Sequence, residues 1–76
     1  MKPLVEYIVR ALVDKPEAVE LRTTPSEGST LYELKVAPED IGKVIGRDGR
    51  TVRAIRSFVG AAASARGKRV MVRVRD

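Results

Sequence analysis

Hydrophobic and polar residues recur with two different periods along this chain, and these periods predict six elements. The first is a helix over roughly residues 3–13, opened by Pro3, which suits a first helical turn. Pro16 is expected to end it, since proline disfavours helical geometry at the residue before it. The predicted apolar face has residues at i, i+4, i+7 and i+8: Leu4, Ile8, Ala11 and Leu12.

Three segments alternate with a period of two, which is typical of half-buried strands. Their inward residues are Val19, Leu21 and Thr23 in the first, Tyr32, Leu34 and Val36 in the second, and Val70, Val72 and Val74 in the third. Residues 25–29, Pro-Ser-Glu-Gly-Ser, predict a mobile loop, so the first two strands are expected to pair as a hairpin.

Two helical patterns meet at Gly46-Arg47-Asp48-Gly49, which we call the glycine turn. The shorter helix is opened by Pro38 and carries Ile41, Val44 and Ile45 at helical spacing. Glycine at each end of the turn permits positive φ and the close approach of another backbone. Gly42 costs roughly 1 kcal/mol in so short a helix, which either a ligand contact or a packing contact would explain.

The longer helix is predicted over residues 50–66, with a glycine cap at Gly67. One apolar side consists of Val52, Ile55, Val59, Ala62 and Ala63. A second set widens that side beyond what one core contact requires. We call it the outer α3 set: Ala54, Phe58, Ala61 and Ala65. Either both sets are buried between the sheet and the first helix, which we favour, or the outer α3 set is a self-association surface.

The predicted order is helix, strand, strand, helix, helix, strand. This order indicates a two-layer α+β domain with a three-stranded sheet and three helices on one of its faces. The other face is expected to carry charged side chains: Glu20, Arg22, Glu33, Lys35, Arg73 and Arg75.

The amino-acid composition excludes several classes of function. The 76 residues predict a single domain, and the chain has no Cys and no His. Disulfides and thiolate metal sites are therefore excluded, and so are the commonest metal ligand and the commonest general base. We expect no cofactor and no metal. No apolar run approaches the length of a membrane span and no signal peptide is evident, so we expect a cytoplasmic protein.

Charge is distributed unevenly along the chain. Residues 1–41 hold 5 Lys/Arg against 8 Asp/Glu, a net charge of −3, and residues 42–76 hold 10 against 2, a net of +8. Positive charge therefore begins at the glycine turn, where Lys43, Arg47, Arg50 and Arg53 lie close together in sequence. A helix start behind a glycine turn attracts phosphate, so this segregation favours nucleic-acid binding over solubility alone.

The segment Val44-Ile45-Gly46-Arg47-Asp48-Gly49, followed by Val52 and Ile55, resembles the signature of the KH domain, an RNA-binding module. The element order is similar to that of the type II, bacterial form, and the chain is most similar to small stand-alone bacterial KH proteins. The resemblance covers residues 1–76. It implies that the glycine turn holds the backbone of about four single-stranded nucleotides, with the bases in an adjacent groove.

Carried over to this sequence, the resemblance implies an RNA-binding set of Ile41, Gly42, Lys43, Ile45, Gly46, Arg47, Asp48, Gly49, Arg50 and Arg53. Val44 occupies a groove-side position but suits the core better, and Leu34 and Val36 are expected to form the far wall. Asp48 puts a negative charge in the turn, and we expect it to cap the following helix. With only three aromatic residues, base stacking is limited and sequence selectivity should be weak.

The resemblance further implies a homodimer, and pairing with a larger KH-containing RNA-binding protein of the Jag or KhpB type. It also implies a role in RNA chaperoning or post-transcriptional control. Two other interpretations compete with RNA binding. An enzyme is disfavoured because no nucleophile–base pair is visible and no Gly-Lys-Ser/Thr follows the turn. A protein-interaction module whose basic surface only assists remains the alternative.

Overall fold

The computed structural model describes residues 1–75, so Asp76 of the predicted domain lies outside it. The elements follow the predicted order, which confirms the α+β fold class. They are α1 Lys2–Leu12, β1 Glu20–Ser26, β2 Ser29–Lys35, α2 Ile41–Ile45, α3 Arg50–Ala65 and β3 Val70–Arg75. Short 3-10 turns at Pro16–Ala18, Pro38–Asp40 and Arg47–Gly49 join them.

The central strand of the sheet is β2. β1 pairs with one side of it antiparallel, beginning with Glu20 opposite Lys35. β3 pairs with the other side in parallel, beginning with Val70 opposite Thr30. Parallel strands need a long crossover, and α2 and α3 together provide it. The two helices thereby lie on one face of the sheet.

The β1–β2 connection is tighter than the sequence predicted. Residues 25–29 were expected to form a mobile loop, but only Glu27 and Gly28 form a turn. Pro25 and Ser26 complete β1, and Ser29 begins β2. Gly28 adopts a φ of +75°, which glycine reaches without a steric cost. Proline is tolerated in β1 because β1 is an edge strand.

The buried face of α1 is not the predicted one. Val5 and Val9 are fully buried, and Ile8 packs at the margin of the core. Ala11 and Leu12, predicted to face inward, are exposed. The contact with the sheet is rotated by one residue, about 100° around the helix. Apolar residues occupy adjacent faces of this helix, so periodicity alone did not identify the face that meets the sheet.

The hydrophobic core joins one face of the sheet to all three helices. Its largest fully buried apolar side chains come from α1, α2, α3 and β2: Val5, Val9, Val44, Val59 and Leu34. The opposite face is open to solvent and carries charged residues, as predicted. The register sets Arg22, Glu33 and Arg73 side by side across it.

Helix α3 buries only one of its two apolar sets. Val52, Ile55, Val59 and Ala63 are buried, whereas all four residues of the outer α3 set are exposed. The favoured expectation that both sets are buried is therefore wrong. The sheet and α2, which pack against α3, cover only its narrower side.

The end of α3 follows the predicted glycine cap. Gly67 adopts a φ of +71° and its N–H donates to the carbonyl of Ser64 at 2.9 Å. The N–H of Lys68 donates to the carbonyl of Ala63 at 2.8 Å. This pair of bonds is the Schellman arrangement, which satisfies the last carbonyls of a helix. It directs the chain back along the sheet into β3.

Candidate nucleic-acid interface

The glycine turn reverses the chain between α2 and α3 within four residues. The N–H of Gly46 donates to the carbonyl of Gly42 at 2.9 Å and ends α2. The N–H of Gly49 then donates to the carbonyl of Gly46 at 3.2 Å. Gly46 has φ 77° and ψ 172°, in a region open essentially to glycine alone. Gly49 has φ 73° and ψ 15°, the left-handed conformation.

Asp48 does not cap α3, so the sequence expectation for it is wrong. The residue preceding α3 is Gly49, and no side chain bonds to the first amides of that helix. Asp48 has φ 56° and ψ 26°, and it is the one non-glycine residue with positive φ within residues 1–75. Asp and Asn reach this conformation more readily than other side chains. The backbone conformation of the turn therefore accounts for an aspartate at this position.

Arg53 folds back from α3 onto the turn. Its Nη2 donates to the carbonyl of Asp48 at 2.7 Å, and its Nε lies 3.3 Å from the carbonyl of Gly49. These contacts tie the Arg53 side chain to two carbonyls of the glycine turn. They also hold a guanidinium charge directly against the turn. Arg53 is therefore a positioning residue as well as a source of charge.

The remaining cations of the predicted site differ in their surroundings. Arg47 and Arg50 are exposed, and neither forms an ion pair within residues 1–75. Lys43 is exposed too, but its Nζ donates a hydrogen bond to the carboxylate of Asp14. That bond raises the pKa of Lys43 above its ordinary value. Two arginines are thus available to an anion, whereas the lysine is already paired.

The apolar residues next to the turn provide less open surface than the sequence predicted. Ile41 and Ile45 are half-buried, whereas Val44 is fully buried in the core, as favoured. Leu34 and Val36 are also buried in the core, so the prediction that they form the far wall of a groove is wrong. The aliphatic surface beside the turn is limited to the exposed parts of two isoleucines.

An arginine that the sequence analysis did not select lies further along α3. The Nε of Arg56 donates to the carbonyl of Val72 at 3.0 Å, linking α3 to the edge strand β3. A recess of about 680 Å³ begins at this link and continues onto the open face of the sheet, past Leu31 and Met71. No sequence signal pointed to Arg56, because the bond depends on how α3 crosses β3.

Asp40 has a structural role that the sequence analysis also missed. Its side chain is only 1% exposed, although it belongs to the turn that opens α2. Its carboxylate accepts the backbone N–H of Asp14 at 3.2 Å and that of Lys15 at 3.0 Å. A buried carboxylate needs such donors, and these two come from the segment after α1. Asp40 therefore ties the end of α1 to the start of α2.

Two other features of the described residues bear on function. Within residues 1–75, no three His, Asp or Glu side chains come together in a way that would hold a metal ion. Among the helices of the same part of the chain, none has the length and apolar character needed to cross a membrane.

Comparison with known proteins identifies a family. The family described as "KhpA/KhpB, KH domain" matches residues 2–74. The chain is 53% identical over 74 residues to the RNA-binding protein KhpA of Clostridium perfringens, covering 97% of this chain and 99% of that protein. It is 47% identical over 73 residues to the protein of the same name from Borreliella burgdorferi, covering 96% and 89% respectively. The Chlamydia trachomatis protein of that name is 43% identical over 76 residues, covering 100% and 97%.

Proposed function

Because the chain belongs to the KhpA/KhpB KH-domain family, we propose that it is an RNA-binding protein that holds single-stranded RNA at the glycine turn. The family is not one of enzymes, in agreement with the prediction that this chain is not an enzyme. The relatives are named for RNA binding, which favours this function over that of a pure protein-interaction module.

The observation that carries the proposal is the exposure of the turn together with its charge. Arg47 and Asp48 are exposed at the tip, and Arg50 is exposed at the start of α3. Arg53 adds a guanidinium held against the turn carbonyls. A phosphate approaching this corner meets main-chain amides, the positive end of a 16-residue helix and several cations. A sugar-phosphate backbone suits this surface better than an uncharged ligand.

The proposed roles follow the placement of the residues. Gly46 and Gly49 let a phosphate approach the main chain, and Arg47 and Arg50 neutralise it. Lys43 contributes once its bond to Asp14 is exchanged for a phosphate.

The exposed parts of Ile41 and Ile45 contact base faces through dispersion and burial of apolar surface. Gly42 lies beside them with open space where a Cβ would stand, so packing does not require glycine there.

Little base selectivity is expected from such a site. Aliphatic surface contacts every base in a similar way, whereas discrimination needs hydrogen bonds to base edges or stacking on aromatic rings. The two isoleucines beside the turn provide neither. We therefore propose a chaperone-like or post-transcriptional role in the cytoplasm, in which many RNAs are bound weakly.

The experiment is a salt titration of binding to a single-stranded RNA oligomer. Each phosphate neutralised contributes about −0.7 to the slope of log K against log salt concentration. If Lys43, Arg47 and Arg50 each neutralise one phosphate, the expected slope is about −2. The absence of binding even at low salt would reject the RNA-binding proposal and favour the interaction module.

We also propose that the outer α3 set forms a contact between two copies of the chain. Phe58 is 56% exposed, and the three alanines around it are exposed as well. An aromatic ring surrounded by small residues permits the close approach of a second helix and excludes water from the contact. The same surface suits pairing with a larger KH-containing protein of the Jag or KhpB type.

A further inference from the structure

The segment that follows α1 is held against the start of α2. Its backbone amides at Asp14 and Lys15 donate to the buried carboxylate of Asp40, at 3.2 and 3.0 Å. Two side-chain pairs reinforce this contact: Lys15 donates to Glu39, and Lys43 donates to Asp14. The backbone of Asp14 is therefore held by the buried carboxylate of Asp40.

This placement brings an acid to the proposed phosphate site. Asp14 is 76% exposed at its side chain, yet its carboxylate lies against the ammonium group of Lys43. Lys43 lies on α2, the helix that leads into the glycine turn. A phosphate that reaches Lys43 must share it with a carboxylate of the same charge, which weakens the gain from that contact. Asp14 thus opposes the ligand by competing with the phosphate for Lys43.

We propose that Asp14 is an affinity-limiting residue of the RNA site, acting as a built-in competitor of phosphate for Lys43. This inference rests on the proposed function. Bound RNA displaces the carboxylate from the ammonium group, and the free protein keeps Lys43 paired. The pair contributes little to folding, because exposed ion pairs stabilise proteins weakly. The Asp14–Lys43 pair instead affects the affinity for RNA.

The test compares Asp14→Asn with Glu17→Gln in the full chain. Both variants remove one negative charge from the same connection, but Glu17 forms no ion pair within residues 1–75. Asparagine also keeps the backbone bonds to Asp40. Asp14→Asn is expected to bind a single-stranded RNA oligomer about two- to fivefold more tightly than Glu17→Gln does at low salt.

A double-mutant cycle tests whether Asp14 affects RNA affinity through Lys43. If Asp14 acts through Lys43, then Asp14→Asn should lose its advantage over Glu17→Gln when Lys43 is replaced by glutamine in both. Equal affinities of the two single variants would overturn the inference while leaving the proposed function intact. A gain that survives Lys43→Gln would overturn it as well. Failure of every variant and of the wild type to bind RNA would reject the proposed function and this inference together.

Discussion

Gly46 packs directly against Thr51 across the glycine turn. A Cβ added to Gly46 would lie 2.2 Å from the Thr51 hydroxyl oxygen, 2.7 Å from its Cβ and 2.8 Å from its backbone nitrogen. Real side chains do not approach this closely, and a backbone atom cannot move away alone. At the other end of the turn, a Cβ on Gly49 would have no neighbour within 4 Å. The two glycines therefore serve different purposes.

Gly46→Ala is expected to distort the turn. It adds the clash with Thr51 to a backbone conformation that costs of order 1–3 kcal/mol for other residues. We expect the free energy of unfolding to fall by about that amount, measured by denaturant titration. RNA affinity should fall with it. Gly60→Ala, within α3 and with open space around its Cβ, is the control and should be neutral or slightly stabilising.

Gly49→Asp tests the charge at the turn without a clash. Asparagine has the same shape and, like aspartate, tolerates positive φ, so Gly49→Asn is the matched control. Gly49→Asn is expected to retain much of the RNA affinity. Gly49→Asp should reduce the affinity by at least about tenfold, because its carboxylate repels phosphate. Fluorescence anisotropy with labelled single-stranded RNA measures both. Equal affinities would place the bound phosphates away from Gly49.

Asp40→Ala is expected to destabilise the fold. It leaves the amides of Asp14 and Lys15 without their buried acceptor, and bonds to a charged group contribute about 1.5–3 kcal/mol. We expect a loss of about 2–3 kcal/mol in denaturant unfolding. Glu39→Gln is the control, since Glu39 is exposed and should matter little. An unchanged free energy of unfolding in Asp40→Ala would show that water replaces the carboxylate at no cost.

Phe58→Glu is expected to reduce self-association while the monomer stays folded. The side chain is already 56% exposed, so a charge there does not enter the core. Sedimentation velocity over a range of concentrations should show a shift towards the monomer, and circular dichroism should stay unchanged. Tyr7→Glu, at an exposed aromatic on α1, is the matched control and should leave association intact. An unchanged sedimentation coefficient for Phe58→Glu would exclude the outer α3 set as the contact.

The element order and the glycine turn could be predicted from the sequence because both depend on local chemistry. Period-two and period-3.6 patterns identified the strands and helices within a few residues of their bounds. Gly67 follows the end of α3 as predicted, since glycine readily adopts the positive φ that a Schellman cap requires. These signals are carried by neighbouring residues and need no knowledge of the rest of the fold.

The tertiary structure decided what neighbouring residues do not encode. Whether Val5 or Leu4 faces the sheet depends on how α1 docks, and whether Phe58 is covered depends on what α2 and the sheet can reach. The buried Asp40 and the pairing of Asp14 with Lys43 join residues more than 20 positions apart. Such contacts follow from the packing of whole elements, which brings together groups whose spacing in the sequence carries no periodic signal.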